Sequence, residues 1–268
     1  MNYFQDIAAN RRKEIEEQKI LQPLHDIVTA METAQPTKDF SHTLLSQFGE
    51  TMVCIGEIKK GNPKMGNLTD RFAPDTIAKE FVAGGAIALS VTTEEKYFHG
   101  KMTHFTMVKE AVKVPVMLND FIVDEYQLYR ARLAGADAIV LIPMLYKANE
   151  LKRFLSVARD LDLACLLECH SKQDIDRALA AEVQYMAISN RNPETYEASI
   201  ETSLMLKRFV PNNILTLSVG GISNAYHLKK LRETGFDGFM IGENIIVQSG
   251  RTAALQSLLR ESIPETLK

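Results

Sequence analysis

The chain alternates short apolar runs with longer segments of helical periodicity. Eight of the runs are rich in β-branched residues and nearly continuous in hydrophobicity, which is typical of parallel strands covered on both faces. They lie at 52–55, 86–91, 114–118, 138–142, 163–167, 185–188, 214–218 and 238–241. Before three of these runs a glycine stands where a helix should end, since glycine tolerates the left-handed conformation found there. These glycines are Gly84, Gly135 and Gly235.

The repeated pattern predicts an α/β protein with the architecture of a (β/α)8 TIM barrel. Eight strand–helix units fit into about 210 residues, as this fold requires. A doubly wound open sheet is the alternative, but it predicts a Gly-x-Gly-x-x-Gly turn after the first strand, which the sequence lacks. We expect one domain, with an N-terminal helical extension at 1–45 and the barrel at 48–262. The charged run at 11–17 is expected to form a solvated helix face.

Composition narrows the class of protein. The 268 residues carry a formal net charge of −3 with both signs interspersed, so we expect neither nucleic acid nor an acidic membrane surface as a partner. No apolar run reaches the roughly 20 residues that span a bilayer. The N-terminus lacks a secretion-signal pattern, and the three cysteines are odd in number and lie in apolar runs. These features predict a cytoplasmic protein with reduced cysteines, either a monomer or a weak homo-oligomer.

The first apolar run leads into a charged pair, Glu57 and Lys59. Successive strand side chains alternate between faces, so these two should project to the same side. An acid and a base aimed together from a buried strand are costly to desolvate, and a chain keeps them mainly where chemistry or a charged ligand needs them. A purely structural ion pair is the alternative.

Polar residues also follow the other predicted strands, at the end of the barrel where active sites of this fold lie. The glycines after the seventh and eighth strands suit a phosphate held by backbone N–H groups. The sequence therefore predicts a phosphorylated small-molecule ligand. The polar strand ends are Glu57 and Lys59, Thr92 and Thr93, Asn119 and Asp120, Glu168 and His170, residues 189–192, Gly220 and Gly221, and Gly242 and Glu243.

Several motifs together resemble one enzyme family. They are residues 57–59, 62–63, 90–100, 119–127, 167–170, 189–192 and 221–222. In this order they resemble the indole-3-glycerol phosphate synthases, over roughly residues 3 to 260. The resemblance implies a (β/α)8 barrel with an extra N-terminal helical segment. It also implies a carbon–carbon lyase of tryptophan biosynthesis, which closes the indole ring of carboxyphenylamino-deoxyribulose phosphate with loss of CO2 and water and uses no cofactor or metal.

The resemblance assigns expected roles to individual residues. Lys59 resembles the active-site lysine that contacts the substrate, and Glu168 resembles an acid/base carboxylate. Phe98 resembles a ring that packs on the anthranilate part of the substrate. The full expected site comprises catalytic Glu57, Lys59, Glu168 and Asn119, substrate-binding Asn62, Pro63, Phe98, Ser189 and Arg191, and phosphate-binding Gly220, Gly221, Gly242 and Glu243.

Four of these positions, and Val219 beside them, depart from the family pattern. Asn119 stands where the family has its general-acid lysine, and asparagine cannot deliver a proton from a titrating group. Losing a positioned general acid typically costs about 10²–10⁴ in rate. Val219 replaces a catalytic glutamate. The other three changes are serine to Gly220, asparagine to Ser189 and serine to Asn62.

Three hypotheses about function follow. The protein is a synthase in which another proton donor stands in, with Lys59, Lys60, Lys64 and Lys96 as candidates. Alternatively, it is a sibling enzyme that acts on a related phosphorylated substrate, since a fold does not fix a reaction. The third hypothesis is a catalytically silent paralogue, against which the retained charges argue because they are costly to bury.

Overall fold

Eight parallel strands close into a barrel in the structure, a computed structural model that describes residues 3–48 and 52–261. Around the barrel the order is β1-β4-β5-β6-β7-β8-β9-β10, and β10 pairs with β1. The predicted (β/α)8 barrel is confirmed and the open sheet is excluded. The strands are β1 Val53–Ile58, β2 Gly61–Asn62, β3 Gly66–Asn67, β4 Ala88–Thr92, β5 Val116–Asn119, β6 Ala138–Leu141, β7 Ala164–Cys169, β8 Tyr185–Ser189, β9 Leu215–Val219 and β10 Gly238–Ile241.

Helices precede the barrel and follow its strands. Local signals start several of them: Pro74 occupies the first turn of its helix, and the side chain of Ser171 accepts a hydrogen bond from the backbone N–H of Asp174. The helices are α1 Tyr3–Leu21, α2 Leu24–Met31, α3 Phe40–Leu45, α4 Pro74–Ala83, α5 Met102–Ala111, α6 Tyr126–Leu133, α7 Ala148–Asp160, α8 Lys172–Leu179, α9 Ile200–Leu206, α10 Ala225–Glu233, α11 Glu243–Ile246 and α12 Arg251–Glu261, with 3₁₀ turns at Pro143–Leu145 and Lys207–Phe209.

The alternation of side chains along β1 determines which residues face the barrel interior. Val53 and Ile55 belong to the apolar cluster inside the barrel, whereas Cys54 and Ile58 belong to the cluster between strands and helices. Glu57 continues the inward series, so it points to the mouth of the barrel. The two-residue strands β2 and β3 form a small antiparallel hairpin directly after β1.

The predicted N-terminal helical segment is present as α1 to α3 and packs against the barrel. Phe4 and Ile7 of α1 join the interior apolar cluster. Residues 1–2, 49–51 and 262 onward lie outside the described residues, including the predicted end of the barrel at 262. The division at 45 and 48 and the single domain stay predictions.

One expectation for α1 is wrong. Arg11 does not belong to a solvated helix face, because it is only 6 % exposed. Its Nη2 lies 2.9 Å from Oδ2 of Asp120, and its Nη1 lies 2.6 Å from Oε2 of Glu14. Asp120 follows β5 and is itself buried, so it requires a cation from above the barrel mouth. Arg11 therefore fixes α1 to the active-site end of the barrel.

Arg11→Met should destabilise the protein by about 3–5 kcal/mol, because it leaves the buried Asp120 carboxylate without its cation. Urea unfolding of the variant measures this loss. Arg12→Met is the matched control, since Arg12 lies next in the same helix but is exposed. Equal stability of the two variants would show that the Arg11–Asp120 pair does not hold α1 in place.

Candidate active site

The four charged side chains singled out in the sequence meet at the barrel mouth. Glu57, Lys59, Glu168 and Arg191 all line one cavity. They come from the ends of β1 and β7 and from the segment after β8. The fold therefore brings these four residues together around a single cavity, as expected from the sequence.

The rest of this cavity combines an apolar wall with polar groups, among them the acidic residues Glu94 and Asp120. Phe98 and Phe121 lie with ring centroids 6.2 Å apart. Asn119 and Ser189 line the cavity as well, at the ends of β5 and β8. Such a cavity suits a ligand with a flat apolar part and charged substituents. The apolar lining residues are Phe4, Phe98, Phe121, Ile142, Val219 and Met240.

A network of four charges lies between this cavity and a second one. Lys59 Nζ is 2.9 Å from Oε2 of Glu57 and 2.9 Å from Oε1 of Glu243. The other oxygen of Glu243, Oε2, is 2.6 Å from Nη2 of Arg191. Two cations and two carboxylates thus balance one another, which makes their burial tolerable.

The network sets the protonation of its members. Burial opposes the charged form of Lys59, but Glu57, with Tyr196 and Glu243, outweighs it and raises the pKa of the ammonium. Burial likewise opposes ionisation of Glu243, yet Lys59 and Arg191 lower its pKa to about 2. Lys59 is therefore a fixed positive charge and a weak proton donor, and Glu243 is a fixed negative charge.

Glu168 is paired with His170. Its Oε1 lies 3.3 Å from Nε2 of the imidazole. The opposite ring nitrogen, Nδ1, is 3.1 Å from the carbonyl oxygen of Arg191. Because a carbonyl only accepts hydrogen bonds, Nδ1 carries a hydrogen, whereas Nε2 lies near the carboxylate without forming a well-aligned hydrogen bond. Burial opposes ionisation of Glu168, but His170, helped by Ser189 and Lys59, lowers its pKa overall.

A second cavity adjoins the first and shares Glu57, Lys59 and Arg191 with it. Its lining includes all four predicted phosphate-binding residues, Gly220, Gly221, Gly242 and Glu243.

Backbone geometry requires glycine at positions 220, 221 and 242. Gly220 and Gly221 have φ values of 81° and 69°, in the left-handed region. A Cβ on Gly242 would lie 2.7 Å from Oε2 of Glu57. Backbone thus approaches the charged network closely on this side. Any direct anion contact of residue 243 would come from its backbone, since its carboxylate faces the two cations.

Two expected substrate-binding residues stand apart from both cavities. Asn62 and Pro63 are among the lining residues of neither. Both ends of the Asn62 amide are engaged: Nδ2 donates to Oε1 of Glu243 at 3.0 Å, and Oδ1 accepts the backbone N–H groups of Lys64 and Met65. Asn62 therefore positions Glu243 and the β2–β3 hairpin, and its contact with a ligand stays a prediction.

Comparisons with known proteins bear on this site. The family model for indole-3-glycerol phosphate synthase matches residues 4–258. The chain belongs to this family. A protein of that name from Lachnoclostridium phytofermentans is 37 % identical over 82 % of this chain and 81 % of its own length. Another, from Crocosphaera subtropica, is 35 % identical over 95 % of this chain and 88 % of its own.

A solved structure supports the fold from a greater distance. Thiamine phosphate pyrophosphorylase from Pyrococcus furiosus superposes with a TM-score of 0.58 at 14 % identity, covering 80 % of this chain and 97 % of its own. At that identity the likeness concerns the barrel alone. Family membership is therefore carried by the sequence relatives, whereas the details of this site come from its own residues.

Sequence reasoning missed several residues that line the first cavity. Tyr196 lies in the segment after β8, and its ring centroid is 4.5 Å from the guanidinium of Arg191. Burial raises the pKa of this tyrosine to about 12. Phe4 reaches the cavity from α1, 4.8 Å from the ring of His170. A loop tyrosine and a helical phenylalanine show no periodicity that separates them from ordinary core residues, so no sequence signal identifies them.

Glu94 was also missed, although it lines the cavity and is fully buried. Its carboxylate accepts the backbone N–H groups of Lys96, Tyr97 and Phe98. Glu94 thereby shapes the loop that carries Phe98. The one signal in the sequence is that this acidic residue comes shortly before the loop residues whose backbone N–H groups it accepts.

The described residues contain no group of three or more His, Cys, Asp and Glu side chains suited to a metal ion. Within the same ranges, no helix combines the length and apolar character needed to cross a bilayer. Cys54, Cys165 and Cys169 are free thiols.

The depressed pKa of Glu243 predicts a pH-dependent contribution to stability. A carboxylate whose folded pKa is about 2, against an ordinary 4.5, contributes stability that is present above 4.5 and is lost as the pH falls towards 2. Glu243→Gln should therefore be less stable than the parent protein at neutral pH, and the gap should close as the pH falls through this window. Urea midpoints across the window measure it, with exposed Glu95→Gln as control. Parallel curves for parent and Glu243→Gln would contradict the role of the ion pairs.

Proposed function

We propose that this protein catalyses the indole-3-glycerol phosphate synthase reaction, a cytoplasmic step of tryptophan biosynthesis. The substrate is carboxyphenylamino-deoxyribulose phosphate, which loses CO2 and water as the ring closes. One observation carries the proposal: Glu57, Lys59, Glu168 and Arg191 surround a single cavity that continues into a glycine-lined second cavity. As expected from the sequence, the protein acts as a monomer or weak homo-oligomer.

The two cavities match the two ends of this substrate. The aromatic ring lies against Phe98 and Phe121, and the phosphate lies near the backbone of Gly221 and Gly242. Lys59 lines both cavities, so its charge sits where the reacting carbonyl joins the two ends. A fixed ammonium there stabilises the negative charge that develops on the carbonyl oxygen as the aromatic carbon attacks it.

The reaction requires protons as well as charge. As the new carbon–carbon bond forms, the carbonyl oxygen takes up one proton and becomes a hydroxyl group. The carbon–carbon bond to the carboxylate then breaks, CO2 leaves, and its electron pair restores the aromatic ring. In dehydration the hydroxyl leaves as water with a second proton, and a base removes one proton from the intermediate.

The lysines considered from the sequence are poor donors for these steps. Lys59 has a raised pKa. Lys64 is engaged with Glu197 at 3.3 Å, and Lys96 with Asn10 at 2.9 Å. Lys60 is absent from the lining of both cavities, as are Lys64 and Lys96.

The Glu168–His170 pair is the better proton source. Nε2 of His170 lies 3.3 Å from Oε1 of Glu168, and Glu168 lines the cavity, so the imidazole is close enough to pass a proton to this carboxylate. In this proposal Glu168 delivers that proton to the substrate, and His170 acts behind it as a positioning residue that resupplies the proton. The pair thereby takes over the task for which Asn119 is unsuited.

Turnover of the substrate, followed by indole fluorescence, tests the reaction directly. Glu168→Gln and His170→Asn should each lower kcat by about 10²–10⁴. Because His170 lowers the pKa of Glu168, its removal should raise this pKa and move the alkaline limb of the pH–rate profile, which reflects loss of the donated proton, to higher pH. Exposed His25→Asn should change neither. Absence of turnover by the folded parent protein would refute the proposed function.

A second candidate function rests on the floor of the cavity. Val219 is 2 % exposed and lines the cavity at the position where the family has a carboxylate, next to the uncharged Asn119. This apolar floor favours a sibling enzyme that acts on a related phosphorylated substrate with the same cations.

The double substitution Asn119→Lys and Val219→Glu separates the two candidates. If the protein is a sibling enzyme, restoring both groups should create or raise synthase turnover from a very low baseline. If the protein is already a synthase through Glu168 and His170, the double variant should gain little. Steady-state rates of parent and variant with carboxyphenylamino-deoxyribulose phosphate decide between these outcomes, and Asn119→Gln with Val219→Leu serves as the uncharged control.

A further inference from the structure

The hydroxyl group of Thr92 is buried beside the first cavity without a hydrogen-bond partner. Thr92 ends β4, is only 5 % exposed and lines this cavity. Among the described residues, no group has the distance and angle of a hydrogen bond to its Oγ1. Because a buried polar group that lacks a partner is costly, this hydroxyl is suited to a ligand that supplies one.

Asn119 provides a second uncharged donor beside Thr92. It ends the neighbouring strand β5, pairs with Thr92 in the register of the two strands and lines the same cavity. The backbone N–H of Thr93 donates to the carbonyl oxygen of Asn119 at 3.0 Å, which fixes the two strand ends relative to each other. A hydroxyl group and an amide group can both donate to one acceptor, so the two side chains form a neutral donor pair.

The aromatic wall of the cavity begins at the same two strand ends. Phe98 lies in the loop that follows β4, and Phe121 comes shortly after β5. Their ring centroids are 6.2 Å apart, and both rings line the cavity together with Thr92 and Asn119. A substrate ring that packs against this wall therefore has one edge next to the neutral donor pair.

We propose that Thr92 and Asn119 are specificity-determining residues that hold the ring carboxylate of the substrate, the group that leaves as CO2. The inference rests on the proposed function, which assigns the phosphate to the glycine backbone and the carbonyl to Lys59. Of the two ring substituents, the amine is joined to the sugar chain, so the carboxylate remains for this donor pair. A carboxylate accepts hydrogen bonds, and both side chains donate them.

This subsite also suits the reaction. The carboxylate is attached to the ring carbon that attacks the carbonyl, so fixing it orients that carbon towards the carbonyl beside Lys59. When CO2 leaves, the electrons of the broken bond return to the ring, and the uncharged donors are left without an uncompensated charge. A ligand that lacks the ring carboxylate leaves the Thr92 hydroxyl unpaired, so the site disfavours it.

Calorimetric binding of two unreactive analogues tests the inference. One is carboxyphenylamino-deoxyribulose phosphate with its ketone reduced to an alcohol, and the other is the same compound without the ring carboxylate. Thr92→Val keeps the shape of the side chain but removes the hydroxyl, so it should weaken binding of the first analogue by about 10-fold and leave the second unchanged. Ser90→Ala is the matched control: its Oγ is also buried and unpartnered on β4, but Ser90 lines neither cavity, so both affinities should stay the same.

Asn119→Asp provides a second variant of nearly the same shape. It replaces the donor amide by a negative charge, so it should weaken binding of the carboxylate-bearing analogue more than Thr92→Val does and spare the other analogue. Equal losses for both analogues, or no loss for either, would overturn the inference.

Turnover separates this inference from the proposed function. If the parent protein turns over the substrate but neither variant distinguishes the analogues, the inference fails and the proposed function stands. If both variants distinguish the analogues but the parent lacks turnover, the proposed function fails and the carboxylate subsite stands. A folded parent that binds neither analogue would refute both.

Discussion

The burial of Lys59 is the constraint on which the site depends. The lysine is 4 % exposed, and an ammonium so far from water requires compensating charge. Glu57 and Glu243 supply it from opposite sides at 2.9 Å. Arg191 is then needed to balance the second carboxylate. The need to compensate one buried cation thus organises the residues between the two cavities.

The same constraint separates charge stabilisation from proton transfer. A lysine held between carboxylates keeps its proton, so it serves the developing oxyanion better than it serves as an acid. In the proposed reaction, proton transfer falls instead to Glu168, with His170 3.3 Å behind it. Under that proposal, an asparagine at position 119 is compatible with the family's reaction.

The barrel and the inner face of β1 were predictable because both depend on short sequence periods. Strand alternation places Glu57 on the inward side wherever the barrel closes. The contact of Glu243 with Lys59 was not predictable, since it requires β10 to pair with β1 and a side chain to reach across that seam. The burial of Arg11 escaped prediction for a similar reason: its partner Asp120 is 109 residues away, and helical charge patterning says nothing about it.

The seam between β10 and β1 also has a consequence for the order in which the site is assembled. Gly56 pairs with Ile241, so the first and last barrel strands meet beside Lys59. Until the end of the chain has been synthesised and docked, Glu243 is absent and the ammonium of Lys59 remains hydrated. The desolvation of this cation therefore accompanies the docking of β10 on β1, which brings Glu243 into contact with it.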